Sequence, residues 1–512
     1  MADQPGVHPE PVGDAAQGEA LQPLRAGQGT GRREDLGPPL LGWLFIPDAE
    51  RDSNPRNLFA VFAGVNLGWV CAIYGWLGVV LGLDFTGAVT ANLVDTVIGT
   101  LVVVPLALIG PRTGTNMTVS SGAHFGILGR FIGSGLALVF ALVFAAITVW
   151  TSGDAIVAAG HRLLGTPENG IALGVAYAVV SAVMVVIALV GHDLIVRVQR
   201  FVVPVATVVL VAGFFAYAGS FDAHRTLGEP TTGGYWSTWV LVTVLAAAGP
   251  ISYGPALGDY TRRISRRHGD ARVAGAVGAG IVLGTMLPAV LGAFAAAAFV
   301  MPTGSFLHDL VDAAPLWYVV PILVVSVLGG FGQGVLCIYA SGLDIESLWP
   351  RMRRVHTTVL AAAVAVVLLF VGVFVFDAAD SVTTMSVALN ALATPWVVIL
   401  LIGFLRNHRH YDARDLQAFT EGRHGRYWFT RGWNVPAVLA WIAGSTFGVL
   451  SVNTDLVSGP LADIAGGVDV SALGSGAVAA LVYLTAVAVV PALVEPPRSQ
   501  RQPRRVPALA PA

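Results

Sequence analysis

The chain has 512 residues, 55% of them hydrophobic and only 12% charged, with a formal net charge of −2 and a mean hydropathy of +0.71. Soluble globular proteins carry about 25% charged residues because they need a wetted surface, so this composition excludes that class, and the near-neutral charge gives no reason to expect a nucleic-acid partner. Cys71 and Cys337, the two cysteines, both sit inside apolar runs, which argues against a disulfide framework or a thiolate metal site.

Residues 1–55 are rich in Pro, Gly, Asp, Glu and Arg and bury too little apolar surface to order themselves. They are expected to form a flexible tail, and the N-terminus shows no basic region followed by an apolar core of the kind a signal peptide needs. A membrane-spanning helix needs roughly 20 mostly apolar residues. Twelve runs meet that requirement. Five lie at about 59–83, 88–109, 131–159, 171–190 and 199–219, and five more at about 236–258, 273–300, 316–345, 357–376 and 382–404. A polar, aromatic loop at 406–435 precedes the last two, at about 436–453 and 472–494, and residues 495–512 read as a second flexible tail.

All 29 basic residues are arginine, a bias expected of a GC-rich genome, and their distribution orients the chain. With both termini on one side, that side receives every arginine except Arg162 and Arg225. Cytoplasmic connections collect positive charge, so both termini and the Arg-rich face are expected in the cytoplasm and the Arg-poor face outside.

Within the spans, ionisable residues are costly and point to function. Asp95 lies inside the second run and Asp154 toward the Arg-poor end of the third, whereas Asp259, Asp344 and Glu346 lie at Arg-rich ends, where Arg262, Arg263 and Arg351 could pair with them. Two runs look interrupted. Asn66 sits between Gly64 and Gly68 in the first, and Gly249-Pro250-Ile251-Ser252-Tyr253-Gly254-Pro255 breaks the sixth twice. Unwound backbone at that depth is tolerated where it lines a cavity. An irregular first helix in each set of five also points to inverted repeats with a site at the break. Gly275–Gly280 with Gly284 suits close helix packing. After the second run comes a tight turn, Gly110-Pro111-Arg112-Thr113-Gly114, then Phe125-Gly126-Ile127-Leu128-Gly129.

At these residues the chain resembles the nucleobase:cation symporter-1 family, which includes purine–cytosine permeases. That family carries a G-P-R-T-G turn and a downstream F-G-x-x-G segment, matched at Gly110–Gly114 and Phe125–Gly129. Its acidic-aromatic-x-Arg end to the sixth helix is matched by Asp259-Tyr260-Thr261-Arg262, and its Y-x-S-G-L stretch by Tyr339–Leu343. The resemblance implies an all-α integral membrane protein with a LeuT-like 5+5 inverted repeat (about 56–220 and 235–405) plus two C-terminal helices. It also implies alternating access to a site between the first, third, sixth and eighth helices. There, Trp150 would stack on a flat base and Asp154, one turn later, would bond its edge. Asn66, Gly249, Pro250, Tyr253 and Gln333 would complete the substrate site, with Gly64, Ser341, Asp95 and Asp154 beside the coupling ion.

This sequence departs from the family pattern at two places. Pro250 stands where a second aromatic is expected, with Tyr253 as a substitute, and Gly332-Gln333 stand where sodium-coupled members place hydroxyls. Protons therefore compete with Na+ as the coupling ion. The expected function is plasma-membrane import of a nucleobase or related heterocycle by cation symport, with a LeuT-fold carrier of amino acids or another small organic solute as the alternative. An enzyme is not expected. There is no H-E-x-x-H, a Walker A loop is impossible without lysine, and no cofactor or metal site is indicated. The sequence leaves the oligomeric state open.

Overall fold

The structure, a computed structural model, describes residues 45–496 apart from 191, 231–233, 301–302, 349–351, 353, 376–377, 408–409, 419–423, 455 and 467. Most of both expected tails, and Arg351, lie outside the described residues. Residues 45–54, assigned by composition to the first tail, are packed. Arg51 is buried and donates to the Pro111 carbonyl at 2.5 Å, and the Asp48 carboxylate accepts from the Arg266 backbone N–H. That backbone hydrogen bond, foremost, holds the Asp48 carboxyl below its usual range.

Among the described residues nine helices are long and apolar enough to cross a membrane. A tenth span is a bent pair, Pro55–Asn66 and Trp69–Val80, which meet at 52°. Two shorter apolar helices, Phe201–Tyr217 and Val435–Leu450, stand where the fifth and eleventh spans are expected. Apolar side chains such as Leu101, Phe215, Leu283, Val367 and Leu481 are exposed around the bundle, as befits a surface solvated by lipid.

Packing reveals the internal symmetry. The first span lies along the seventh (Asp270–Ala296), as the sixth (Tyr235–Thr261) lies along the second (Phe85–Thr113). The fifth packs on the first as the tenth (Ala379–Arg406) packs on the sixth. The third (Arg130–Leu164) meets the ninth (Val355–Phe374) as the eighth (Leu316–Gly342) meets the fourth (Gly170–Leu189). Each pair maps onto the other by adding or subtracting five, which is the signature of a five-helix unit used twice. The eleventh and twelfth spans pack on each other and on the tenth.

Small residues let the broken first span sit deep against the seventh. A Cβ on Gly75 would fall 1.8 Å from the Ala289 carbonyl oxygen, and one on Gly292 would fall 1.9 Å from that of Ala72. Backbones approach this closely only through glycine, as is common where helices pack in lipid.

The two expected interruptions differ. In the first span the helix stops at Asn66 and restarts at Trp69, with Leu67 and Gly68 unwound between them. The sixth span carries a 3-10 turn at Gly254–Ala256 and continues to Thr261 as one span of 27 residues, without the sharp bend of the first. Proline constrains the helix here without ending it, because a 3-10 turn re-forms its hydrogen bonds. A third irregularity was not expected: the eighth span widens into a π turn at Gly330–Gly334. It abuts the first break, since a Cβ on Gly68 or on Gly329 would lie 3.4 Å from the other's Cα.

Candidate functional site

Where these irregularities meet, a small cavity lies inside the bundle. It is lined by Asn66, Cys71 and Tyr74 of the first span, Asn92 of the second and Phe144 of the third. Ala246, Gly249, Ser252 and Tyr253 of the sixth, Thr285 of the seventh and Gln333 of the eighth complete it. Its volume is about 20 Å³, close to the space one water needs, so in this conformation the walls have closed on one another. Tyr253 Oη donates to Asn66 Oδ1 at 3.1 Å, and Asn66 Nδ2 donates to the Phe62 carbonyl at 2.7 Å. Asn92 Nδ2 donates to the Ala88 and Tyr74 carbonyls, and Tyr74 Oη is hydrogen-bonded to Ser386 Oγ at 3.2 Å. The Thr285 hydroxyl is buried near the Cys71 thiol, and a Cβ on Gly249 would meet nothing within 4 Å. The lining offers amides, hydroxyls and aromatic faces. It contains no Asp, Glu, Arg or His.

Four of the residues expected at the substrate site converge here: Asn66, Gly249, Tyr253 and Gln333. Three others lie elsewhere. Pro250 packs against Gly99 of the second span. Trp150 lines a separate apolar cavity of about 290 Å³ with residues of the ninth and tenth spans and Leu456 and Val457. Asp154 is buried at the Arg-poor end of the third span, where it accepts from Trp150 Nε1 at 2.8 Å and Tyr177 Oη at 2.5 Å.

The residue of the third span that faces the central cavity is Phe144, which the sequence reading passed over. Phe144 and Thr148 are spaced i, i+4, just as Trp150 and Asp154 are. Six residues at about 100° each separate these two pairs by roughly 120° around the helix, so spacing alone cannot say which pair faces inward. Asn92 was also passed over, although an amide one turn before Asp95 was a usable signal. Asp95 is buried, with Oδ2 unpartnered among the described residues, and Ser341 is buried with its hydroxyl unpartnered. Gly64 is buried in the first half-helix.

The G-P-R-T-G segment, expected to be a tight turn, is instead the last helical turn of the second span, Ile109–Thr113 closed by Gly114, and it forms a junction on the Arg-rich face. The Pro111 carbonyl accepts from Arg51 and from Arg266 Nε, Arg112 pairs with Asp270, and Thr113 Oγ1 meets Ser120 Oγ at 2.9 Å. Gly114 turns with φ +69°, and a Cβ there would strike Arg51 and the Ile46 carbonyl. Asp259, at the end of the sixth span, accepts from the Met117 backbone N–H at 2.7 Å. The short helix Met117–Phe125 is held by Asn434 Nδ2 on the His124 carbonyl and by Tyr411 Oη at His124 Nε2, 2.9 Å away. Burial lowers the His124 pKa to about 4, so the ring is neutral. This junction therefore ties the second and sixth spans to the N-terminal segment and the 406–435 loop. Among the described residues no three His, Cys, Asp or Glu side chains could hold a metal ion.

A bundle of inverted five-helix units, broken in its first helix around a buried polar cavity, defines a secondary transporter of LeuT-like fold. The sequence profile described as "Permease for cytosine/purines, uracil, thiamine, allantoin" matches residues 45–478, and the chain belongs to that family, whose members are permeases rather than enzymes. Among curated proteins it is similar to YxlA of Bacillus subtilis (strain 168), named as a purine-cytosine permease, with 23% identity over 86% of this chain and 93% of that one. Among solved structures it is similar to Mhp1, a nucleobase-cation-symport-1 family transporter. The closed conformation with bromovinylhydantoin bound gives a TM-score of 0.68 at 17% identity, covering 87% of this chain and 94% of that one. The inward-facing conformation gives 0.69 at 18%, covering 88% and 93%. The two scores are equal to within 0.01, so the likeness carries the fold and not a conformational state. A Na+-coupled sialic acid symporter is more distant, at 0.55 and 11% identity, covering 86% and 91%.

Proposed function

We propose that the protein imports an uncharged nucleobase or a closely related flat heterocycle by proton symport, with alternating access at the central cavity. The Arg-rich face and both termini would be cytoplasmic, as the arginine distribution indicates. One observation carries the substrate class. The cavity lining combines aromatic faces (Phe144, Tyr253, Tyr74) with neutral hydrogen-bonding groups (Asn66, Asn92, Ser252, Thr285, Gln333) and no charged side chain. Planar heterocycles present two apolar faces and an edge of donors and acceptors, which such a lining matches. Amino acids, the alternative cargo, carry two charges that no side chain here would meet.

Trp150 and Asp154, assigned to the base by the resemblance, define a competing placement beside the apolar cavity at Trp150. That cavity presents few polar groups to a base edge, so the central cavity is preferred. For the coupling ion, Gly332 and Gln333 lie in the π turn and bring no hydroxyl, whereas two buried carboxylates, Asp95 and Asp154, can carry a proton. Gly64 and Ser341 are the remaining candidates for a Na+ site. Uptake of labelled cytosine, purines, uracil, allantoin and hydantoins by cells lacking their own permeases tests the reading. Saturable uptake of at least one, unaffected by excess amino acids and stimulated by external acid, is expected. Competition by amino acids with no response to any heterocycle would overturn it.

A further inference from the structure

The Arg-poor end of the third span holds a chain of titratable groups that the substrate site does not use. Asp154 accepts from Trp150 Nε1, from Tyr177 Oη of the fourth span and, at 3.4 Å, from Ser305 Oγ. Ser305 Oγ lies 2.7 Å from His308 Nδ1, on the short helix Phe306–Ala313. His308 Nε2 lies 2.9 Å from Glu168 Oε1, in the loop between the third and fourth spans, and His161 Nε2 lies 3.9 Å from Glu168 Oε2. Side-chain exposure falls steadily along this line, from 37% at Glu168 through 14% at His308 to 5% at Asp154. Solvent thus reaches one end, and a fully enclosed carboxylate stands at the other.

We propose that Glu168, His308 and Ser305 form the route by which protons from the Arg-poor side reach Asp154, and that Asp154 is the coupling carboxylate. This rests on the proton-symport reading above. A proton taken up at Glu168 passes to His308 Nε2, and His308 releases its Nδ1 proton to Ser305 Oγ. Ser305 gives its own hydroxyl proton to Asp154 Oδ2, and reorientation of the imidazole and hydroxyl restores the line. One proton enters, one carboxylate is neutralised, and no other bond changes.

The same contacts make this a latch. Ionised Asp154 binds the Phe306–Ala313 helix to the third and fourth spans through Ser305 and His308, and a neutral carboxyl holds these donors less strongly. The other charged and titratable neighbours are already engaged. Arg162 of the third span donates to the Val311 carbonyl, Tyr217 of the fifth donates to that of Leu310, and Asp309 accepts from Thr303. Asp312, on the same helix, stands beside Asp309 as a like charge and makes no pair with it, and His161 Nδ1 sits 2.8 Å from the Thr166 carbonyl. Loading Asp154 therefore loosens one specific set of contacts and leaves the rest of the helix anchored.

Two measurements on the full-length protein test this. In proteoliposomes with an imposed pH gradient, His308→Gln and Glu168→Gln should retain exchange of labelled nucleobase while gradient-driven accumulation falls at least tenfold and its pH profile flattens. Unchanged pH-dependent accumulation in both variants, or exchange lost in parallel with accumulation, would overturn the route. The second needs no substrate. Infrared difference spectra of the purified protein between acid and alkaline pH should show a protonated-carboxyl band that is absent in Asp154→Asn, with its midpoint displaced by His308→Gln. A midpoint unmoved by that substitution, or no band assignable to Asp154, would overturn the proposal. If the band behaves as expected and no nucleobase is carried, the substrate reading fails and the proton site stands.

Discussion

Tyr253 Oη donates to Asn66 Oδ1 at 3.1 Å, joining the sixth span to the unwound point of the first across the central cavity. The bond spans the two five-helix units at the place where each is irregular. Both groups line the cavity, so a substrate that fills it meets this bond directly and competes for its donor and acceptor. Tyr253→Phe keeps the ring and removes the donor, a loss of about 0.5–1.5 kcal/mol. The expected result is normal expression with a several-fold change in KM. Asn66→Ala also removes the edge-bonding amide and should lower nucleobase uptake by tenfold or more at equal surface abundance.

The glycines separate folding from function. Gly292→Ala places a methyl carbon within 2 Å of the Ala72 carbonyl oxygen. The first and seventh spans would have to move apart, at a cost of about 1–3 kcal/mol or more. Detergent-solubilised protein should show a markedly lower Tm or fail to accumulate. Gly249→Ala, by contrast, projects into open space at the cavity. Its Tm should match the parent within a degree or two while substrate binding weakens.

Phe144 and Trp150 offer competing aromatic platforms on one helix. With the base in the central cavity, Phe144→Ala should cost about 1–3 kcal/mol of binding, up to a hundredfold in affinity, by removing a stacking face. Trp150→Phe, which keeps an aromatic ring in the apolar cavity, should bind substrate normally. Ligand titration by intrinsic fluorescence or calorimetry distinguishes the two, and the reverse order would relocate the site to Trp150.

His124 gives the Arg-rich face a defined response to acid. In the fold its pKa is lowered to about 4 by burial; in the unfolded chain it lies near 6.5. Between these values the unfolded state binds the extra proton, so stability is fully present above about pH 6.5. It falls by about 1.4 kcal/mol per pH unit on acidification toward pH 4. His124→Gln, which stays neutral, should flatten this part of the Tm-versus-pH curve.

The spans, the G-P-R-T-G junction and the break at Asn66–Gly68 were legible because each leaves a one-dimensional trace: an apolar run, a motif, a glycine pair flanking an amide; that the junction stays helical to Thr113 was not. The π turn at Gly330–Gly334 left only a glycine-rich stretch inside an apolar helix, a composition equally compatible with close packing. The sixth span's Gly-Pro pairs overstated its break, since the helix continues through a 3-10 turn as one span. Orientation of the third span about its axis was not legible. Phe144 and Trp150 differ only in what surrounds them after folding, and that depends on the opposite helices. Residues 45–54 were read as tail because the segment is polar, yet Arg51 is buried against Pro111 by a contact 60 residues away.

The account turns on a polar, uncharged cavity at the helix break that accepts one flat ring. Its most direct test is thermal-shift titration of the purified protein with cytosine, hypoxanthine, uracil, allantoin and a hydantoin, in parallel with Asn66→Ala and Phe144→Ala. A ligand at about a hundred times its Kd stabilises by about 2.7 kcal/mol, so at least one of these compounds should raise the Tm by a few degrees in the parent and in neither variant. Equal stabilisation of the parent and both variants would contradict the account, as would a Tm in the parent that responds to amino acids alone.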